Sequence, residues 1–425
     1  MPRNESVSAQ SALPRTAKDV FKLGPIERLL YHAIIAFYEW TGLWRYPASA
    51  SGDLETMTFM DKVYWLYKTT NPIDKASRGS GLEEHFEARK SFGWQPPSHI
   101  QVEGELTLSA VGDLMNHRYL LNSSDVLYKD VSDVIFGADI SMANLECVIY
   151  PKGTGALSFS PRNGPPLYYS LEDFSIAKGF GGRKYSFIAT ACNHSLDFAE
   201  DGVRSTIGTL KAEGIAFNGV NVSERDARSA TIVERSGFTI GLISHTFGLN
   251  AHQPPEDKPW IVNRSHLNGE LGKIDLRQLK QQIRFCKESK ADFIVLQLHW
   301  GMEHELYPRP DQVKVSHHLA ESGVDLILGH HPHVVQPFEF YRTERDPDRV
   351  VPIYYSLGNL LNPFSAPYLS LSYVARIALV KGALADGSER TYVRDAAAVE
   401  IVQVVDDKNG KIRLCRKADH REAQR

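Results

Sequence analysis

From Glu105 onward, short apolar runs alternate with amphipathic helical stretches, and most of the runs end on a cluster of polar residues. The early runs are Leu106–Val111, Asp139–Leu145, Tyr185–Ala191, Thr239–Ser244, Phe293–Leu298 and Val324–Leu328. Helices are predicted from about Gly202 to Ala212, from Leu276 to Ser289 and over 311–322. Such alternation requires an α/β architecture, because each apolar run must be buried in a sheet and each amphipathic stretch must cover one. After residue 350 the helical pattern stops. Pro352–Leu357, Tyr373–Val380, Ala398–Val405 and Ile412–Cys415 read as strands, and this tail is expected to complete a second sheet. A chain of 425 residues is long enough for one large domain of this kind with an appendage.

The appendage is expected at the N-terminus. Residues 1–20 are polar and read as a flexible start. Residues 21–100 read as a helical extension and linker, with Ile26, Leu29, Leu30, Ala33, Ile34 and Phe37 at helical spacing. Between Asn71 and Ser98 the composition turns to charge, Gly and Pro, which is linker chemistry, so a boundary near residue 100 leaves 101–425 as the main domain. The start holds no apolar stretch of the signal-peptide kind. The segment Leu29–Tyr38 is interrupted by His32 and is too short for the roughly 20 residues of a membrane span, so a cytoplasmic protein is expected, with 25–70 as a surface for a peripheral membrane or protein contact. A net charge of −3 makes nucleic acid a poor partner. Cys147, Cys192, Cys286 and Cys415 are far apart and read as free, mostly buried thiols. Nothing in the sequence addresses the oligomeric state.

The polar clusters follow the strands, where open α/β sheets place their ligands. They are Gly112-Asp113, Asn144-Leu145-Glu146, Cys192-Asn193-His194-Ser195-Leu196-Asp197, His299-Trp300-Gly301-Met302-Glu303, Gly329-His330-His331-Pro332-His333 and Ser356-Leu357-Gly358-Asn359. Seven of the sixteen histidines fall between His299 and His333. Imidazole together with carboxylate oxygen suits zinc, manganese and iron. Asp113, Glu146, Asn193, His299, His331 and His333 are therefore the candidate ligands of one or two divalent ions. Taken singly, Asp113 also fits a helix cap and Asn193-His194 a capping pair, and His317 and His318 are assigned to a helix surface or its packing. It is the shared position at the ends of successive strands that joins the others into one site.

In this order the motifs V-G-D-L-M, A-N-L-E, C-N-H-S-L-D-F, L-H-W-G-M-E, G-H-H-P-H-V-V-Q-P-F-E and Y-S-L-G-N-L resemble the CapA-type poly-γ-glutamate capsule-synthesis proteins, which are similar to the calcineurin-like metallophosphatases. The resemblance runs from about Leu106 to Leu361. It implies a metallophosphatase-like sandwich of two mixed sheets flanked by helices, with a metal centre at the strand ends. It also implies that Asp113 is the first-strand metal ligand, Glu146 a bridging carboxylate, Asn193 an amide ligand, His194 the acid–base histidine, and His299, His331 and His333 the imidazole ligands. His117, Glu303, His330 and Asn359 are placed around the substrate. The D-x-H opening of metallophosphatases is absent, since Met115 stands two residues after Asp113.

A centre of this kind suits hydrolysis. The reading favoured by the resemblance is metal-dependent hydrolysis or transfer at an amide of a poly-γ-glutamate or peptide substrate, with the loop Pro161–Pro166 helping to bind it. The alternatives are a phosphoesterase, a peptide epimerase with a histidine base, and a non-catalytic subunit of a capsule-polymer synthesis and export complex. No G-x-x-x-x-G-K-[ST] loop is present for ATP-driven ligation.

Overall fold

The computed structural model describes residues 24–91, 93, 95–97, 100–151 and 166–423. The expectations for residues 1–20 and for nearly all of Pro161–Pro166 lie outside the described residues. Two mixed sheets form the body of the molecule. In the first, β1 (Gln101–Leu114) lies at the centre with β2 (Ile140–Leu145), β3 (Phe187–Ala189) and β4 (Ala216–Asn218) on one side. On its other side run β12 (Leu371–Ala383), β13 (Glu389–Asp406) and β14 (Lys411–Arg416), and the short β11 (Asn359–Leu361) also pairs with β1. The second sheet has the order β9 (Phe338–Arg342), β10 (Val350–Tyr354), β8 (Leu326–His330), β7 (Phe293–His299), β6 (Phe238–Thr246) and β5 (Thr231–Arg235).

The alternation of side chains along each strand makes the sandwich. Leu106, Leu108 and Ala110 of β1 share one buried cluster with Phe238, Ile240 and Leu242 of β6, Phe293 and Val295 of β7, and Leu326 and Leu328 of β8. These are every second residue, so they lie on the facing sides of the two sheets. Each fully buried Leu, Ile or Phe there contributes about 1.5–3 kcal/mol. The outer side of the second sheet, with Ile294, Leu296, Leu298 and Ile327, packs with α5 (Arg277–Glu288) through Leu279 and Ile283 and with α6 (Pro310–Ser322) through Leu319. On the outer side of the first sheet, Ala143 and Ile188 join Leu210 of α4 (Ala199–Ala212). The two-sheet sandwich flanked by helices is thus present, and all four cysteines are free and buried.

Two expectations need correction. The tail completes the second sheet only through Val350–Tyr354. Strands β12 to β14 widen the first sheet, with β12 antiparallel to β1 from Gln101↔Ala383 to Ala110↔Ala375, and only Val350–Tyr354 enters the second sheet. The stretch between Asn71 and Ser98 is also not all linker, because Leu82–Arg89 forms a helix, α3. Its only buried apolar residues, Leu82 and Phe86, are one turn apart, too few for a helical period to show in the sequence.

Ahead of α3 lie α1 (Pro25–Thr41) and α2 (Phe59–Lys68). They meet around Trp44, which stacks on Tyr38 at 3.7 Å and packs against Tyr64 and Tyr67. Segment 24–73 touches the second sheet's loops directly. Ile73 exchanges backbone hydrogen bonds with His304 and Leu306, and buried Lys68 pairs with Glu305 at 3.0 Å. Among the described residues no helix is long and apolar enough to cross a membrane.

Candidate metal centre

Strand register brings the candidate ligands together. Asp113 sits opposite Asn144 of β2 on one side and Asn359 of β11 on the other. Glu146 follows β2 by one residue, and its N–H donates to the Leu114 carbonyl. In the second sheet His299 pairs with His330 across β7 and β8, and His331 and His333 follow directly. Glycine makes this crossing close. A Cβ on Gly112 would fall 1.9 Å from the Gly358 carbonyl oxygen, and one on Gly329 would fall 1.9 Å from that of Tyr355. Only glycine lets Asp113 and His330 follow at such an approach.

The backbone is strained where the histidines turn inward. His331 and His333 have φ of 95° and 60°, and His304 beside them has φ of 61°. Left-handed backbone at non-glycine residues costs of order 1–3 kcal/mol each and persists where the surroundings hold it.

The carboxylates and imidazoles interlock. Asp113 Oδ1 accepts from the Asn144 side-chain amide at 2.8 Å and lies 3.1 Å from His330 Nδ1, while its Oδ2 accepts from the His331 N–H at 3.1 Å. Glu146 Oε1 is 3.5 Å from His299 Nε2, and its Oε2 is 3.5 Å from His333 Nδ1. His333 Nδ1 is also 3.0 Å from Asn359 Oδ1, and its Nε2 is 3.6 Å from Glu303 Oε1. Asn193 points its Oδ1 at His299 Nε2, 2.9 Å away. Three sets, Glu146–His299–His331, Asp113–Glu146–His333 and Glu303–His331–His333, each bring their ligand atoms within 4.8 Å of one another.

Four of these atoms have no hydrogen-bond partner. Both oxygens of Glu146 and both ring nitrogens of His331 are buried and unsatisfied. An orphaned buried polar atom costs about 1–3 kcal/mol, so a carboxylate and an imidazole left so side by side fit the donor set of a divalent ion. Burial pushes His299 well below the usual imidazole range and His331 down to about 4, with neighbouring histidine charge acting the same way at His299. Both therefore keep their lone pairs, as ligands must. His333 goes the other way, and would have to release its proton to hold an ion. Burial opposes its protonated form, but Glu146, Glu303 and Asp113 outweigh burial and raise it to about 10. Burial raises Glu146 well above the carboxylate range.

His194 stands beside this centre with an orientation of its own. The Asn193 amide donates to Asn250 Oδ1 at 3.2 Å, which turns the Asn250 amide nitrogen toward His194 Nε2 at 3.3 Å. The Nε2 atom thus accepts. Nδ1 then carries the proton and donates to Asp197 Oδ2 at 2.7 Å. Burial acts to raise the Asp197 carboxyl, and His194, His252 and the Leu167 N–H overcome it and hold it below its ordinary value.

The residues assigned to substrate fall in different surroundings. Glu303 reaches the ligand cluster, and its carboxylate accepts from the indole N–H of Trp65. His330 is fully buried and spends both ring nitrogens on protein, Nδ1 at Asp113 and Nε2 at Gln297, 3.1 Å away. Asn359 is buried against His333. His117 is buried, accepts from the Tyr119 N–H at 3.1 Å and is pushed down to about 4 by burial.

Four contributors escaped the reading of the sequence as functional residues. Asn144 and Asn250 orient Asp113 and His194, Asp197 fixes the tautomer of His194, and Trp65 reaches the centre from α2. Asn144 and Asp197 lie inside motifs, two residues before Glu146 and three after His194, whereas Asn250 and Trp65 lie outside them.

Residues 107–363 match the family described as "Bacterial capsule synthesis protein PGA_cap". The chain belongs to this family. It is 24% identical over 275 residues to the capsule biosynthesis protein CapA of Bacillus anthracis, covering 63% of this chain and 62% of that one. It is 26% identical over 263 residues to the PGA biosynthesis protein CapA of Bacillus subtilis (strain 168), covering 60% and 63%. The PGA_cap chain therefore spans just over three-fifths of the length of these relatives. A solved structure of a hypothetical protein from Thermus thermophilus aligns over 68% of this chain and 98% of its own, at 13% identity and a TM-score of 0.33, a likeness too slight to bear on function.

Proposed function

We propose that this PGA_cap protein is a metal-dependent hydrolase or transferase acting at an amide of a γ-glutamyl polymer or peptide. The orphaned Glu146 carboxylate and His331 ring carry this reading, because they face one another in a buried site that offers oxygen and nitrogen donors from both sheets. Asp113, Glu146, Asn193, His299, His331 and His333 would hold one or two ions of manganese, zinc or iron, with Glu303 adding a carboxylate at the rim. The ion, when bound, supplies Lewis acidity and an activated water.

The chain's own groups do the rest. Asp197 and Asn250 hold His194 with Nε2 as its basic nitrogen, in position to move a proton to or from the reacting group. His330 braces Asp113, and Trp65 braces Glu303. The other charged side chains of this region are acids or are already paired. Asp113, Glu146, Glu303 and Asp197 are acids, and the nearby cations Lys68 and Arg309 are both committed to Glu305. Capsule and PGA biosynthesis stand in the names of the two Bacillus relatives, which supports a γ-glutamyl amide as the substrate class. A division into an extension before residue 100 and a catalytic domain from 101 belongs to the same proposal, with Trp65 contributed across it.

The test is product analysis with the metal-loaded protein on a γ-glutamyl peptide and on a generic phosphodiester. Metal-dependent release of shorter γ-glutamyl products is expected. Cleavage of the phosphodiester alone would make the protein a phosphoesterase, and inertness toward both would leave it a non-catalytic subunit.

A further inference from the structure

A second cluster of ligand types lies on the outer side of the second sheet. Glu339 in β9 is fully buried, and the imidazoles of His85 in α3 and His317 in α6 address its two oxygens separately. His85 Nε2 is 2.8 Å from Oε2, and His317 Nε2 is 2.7 Å from Oε1. The three ligand atoms all lie within 4.8 Å of one another. We propose that His85, His317 and Glu339 form a second divalent-metal site, of the zinc class, that ties the N-terminal extension to the six-stranded sheet.

The surroundings are built for such a role. The Tyr355 hydroxyl donates to Glu339 Oε1 at 2.7 Å and lies 2.8 Å from the Ser316 hydroxyl, which holds the carboxylate from behind. The His317 ring stacks on Tyr341 at 4.1 Å and 15°, fixing its plane. Outer hydrogen bonds and packing of this kind orient metal ligands. Two imidazoles and one carboxylate are a set that zinc accepts with a fourth position left to water. Both imidazoles are about one-quarter to one-fifth exposed, so an ion and its water have a way in.

Two adjustments accompany loading. Ligand atoms on a tetrahedral zinc stand about 3.3 Å apart, so each nitrogen–oxygen pair must open by roughly half an ångström, a shift the half-buried rings can make. Arg89, whose Nη1 donates to His85 Nδ1 at 2.9 Å, must also swing away so that Nδ1 can carry the ring proton once Nε2 binds the ion. Arg89 is exposed and has room to do so.

The experiment is zinc stoichiometry by equilibrium dialysis and elemental analysis, with thermal unfolding at each zinc level. It compares the full chain with His85→Gln/His317→Gln, in the natural background and in one carrying His331→Ala/His333→Ala. The proposal expects the loss of one zinc equivalent in both backgrounds, and loss of the zinc-induced rise in Tm that this equivalent produces. Because the second background lacks the central histidines, failure of the central reading leaves this result intact. Equal stoichiometry and an equal Tm rise with and without His85 and His317 would overturn it. If the double variant does not fold, His85→Gln alone gives the same reading, since His85 lies on a short helix outside the sandwich core.

Discussion

The two sheets bring different chemistry to the centre. The first supplies oxygen, from Asp113, Glu146, Asn193 and Asn359, and the second supplies nitrogen, from His299, His331 and His333, with Glu303 as its one carboxylate. Neither side forms the site alone. On the first side most groups already have partners, as Asp113 has Asn144 and the His331 N–H. The unsatisfied atoms arise where the sheets meet, at Glu146 from one and His331 from the other. The difference teaches that packing of the sandwich, more than any single loop, brings an unsatisfied carboxylate and an unsatisfied imidazole together.

The most severe way to break the comparison is to empty the nitrogen side. His331→Ala with His333→Ala is expected to abolish metal binding at the centre while the fold persists, because a domain of this size has other sources of stability. Elemental analysis beside circular dichroism checks both halves. If the oxygen side alone holds the ion in this variant, the division of labour is wrong.

The next effect separates chemistry from ligation. His194→Ala should lower turnover by roughly 10²–10⁴ and leave metal stoichiometry unchanged, as expected for loss of one general acid or base. Asp197→Asn should lower turnover less, because the imidazole remains and only its tautomer is released. Steady-state kinetics on a cleaved γ-glutamyl substrate ranks the two variants, and metal loss in either would make it part of the ligand set.

Acid sharpens the comparison further. His245 in β6 is buried between Gln282 and Ser265, and burial pushes it down to about 4. Its folded value lies below the unfolded 6.5, so the unfolded chain binds the extra proton. Its contribution is therefore complete above pH 6.5 and is lost as pH falls toward 4, about 3 kcal/mol in all. Asp197, lowered from 3.8, keeps its contribution until more acid conditions. Urea unfolding between pH 7 and 4 should show the loss, and His245→Asn should flatten it. An unchanged slope in that variant would remove His245 from the acid response.

The smallest effect concerns the contribution from outside both sheets. Trp65→Phe removes the N–H that Glu303 accepts and is expected to weaken metal binding by about 10–100-fold, the range typical of an outer hydrogen bond to a ligand. A metal titration followed by calorimetry measures it. No change would place Glu303 outside the ligand set.

Much of this was legible in the sequence for a simple reason. A buried strand reads as an apolar run, and a candidate ligand at its end reads as a polar break, so Asp113, Glu146, Asn193, His299 and His331 could be named as candidates without coordinates. The tail was harder. Residues 371–383 and 389–406 alternate cleanly, but nothing in that alternation says that they pair beside Gln101–Ala110, which depends on long-range register. Trp65 looked like one more aromatic of an amphipathic helix, and its role follows from where α2 lies against the loop carrying Glu303 and Glu305. Asn144 and Asn250 are single amides, and only geometry separates an orienting amide from an ordinary one.

The most direct test of the central claim is anomalous diffraction from crystals of the full chain grown with manganese or zinc, measured at the metal's absorption edge. A peak about 2.0–2.2 Å from a Glu146 oxygen and a His331 ring nitrogen is predicted. A map with no peak there, and with Glu146 and His331 still buried side by side, would contradict the account.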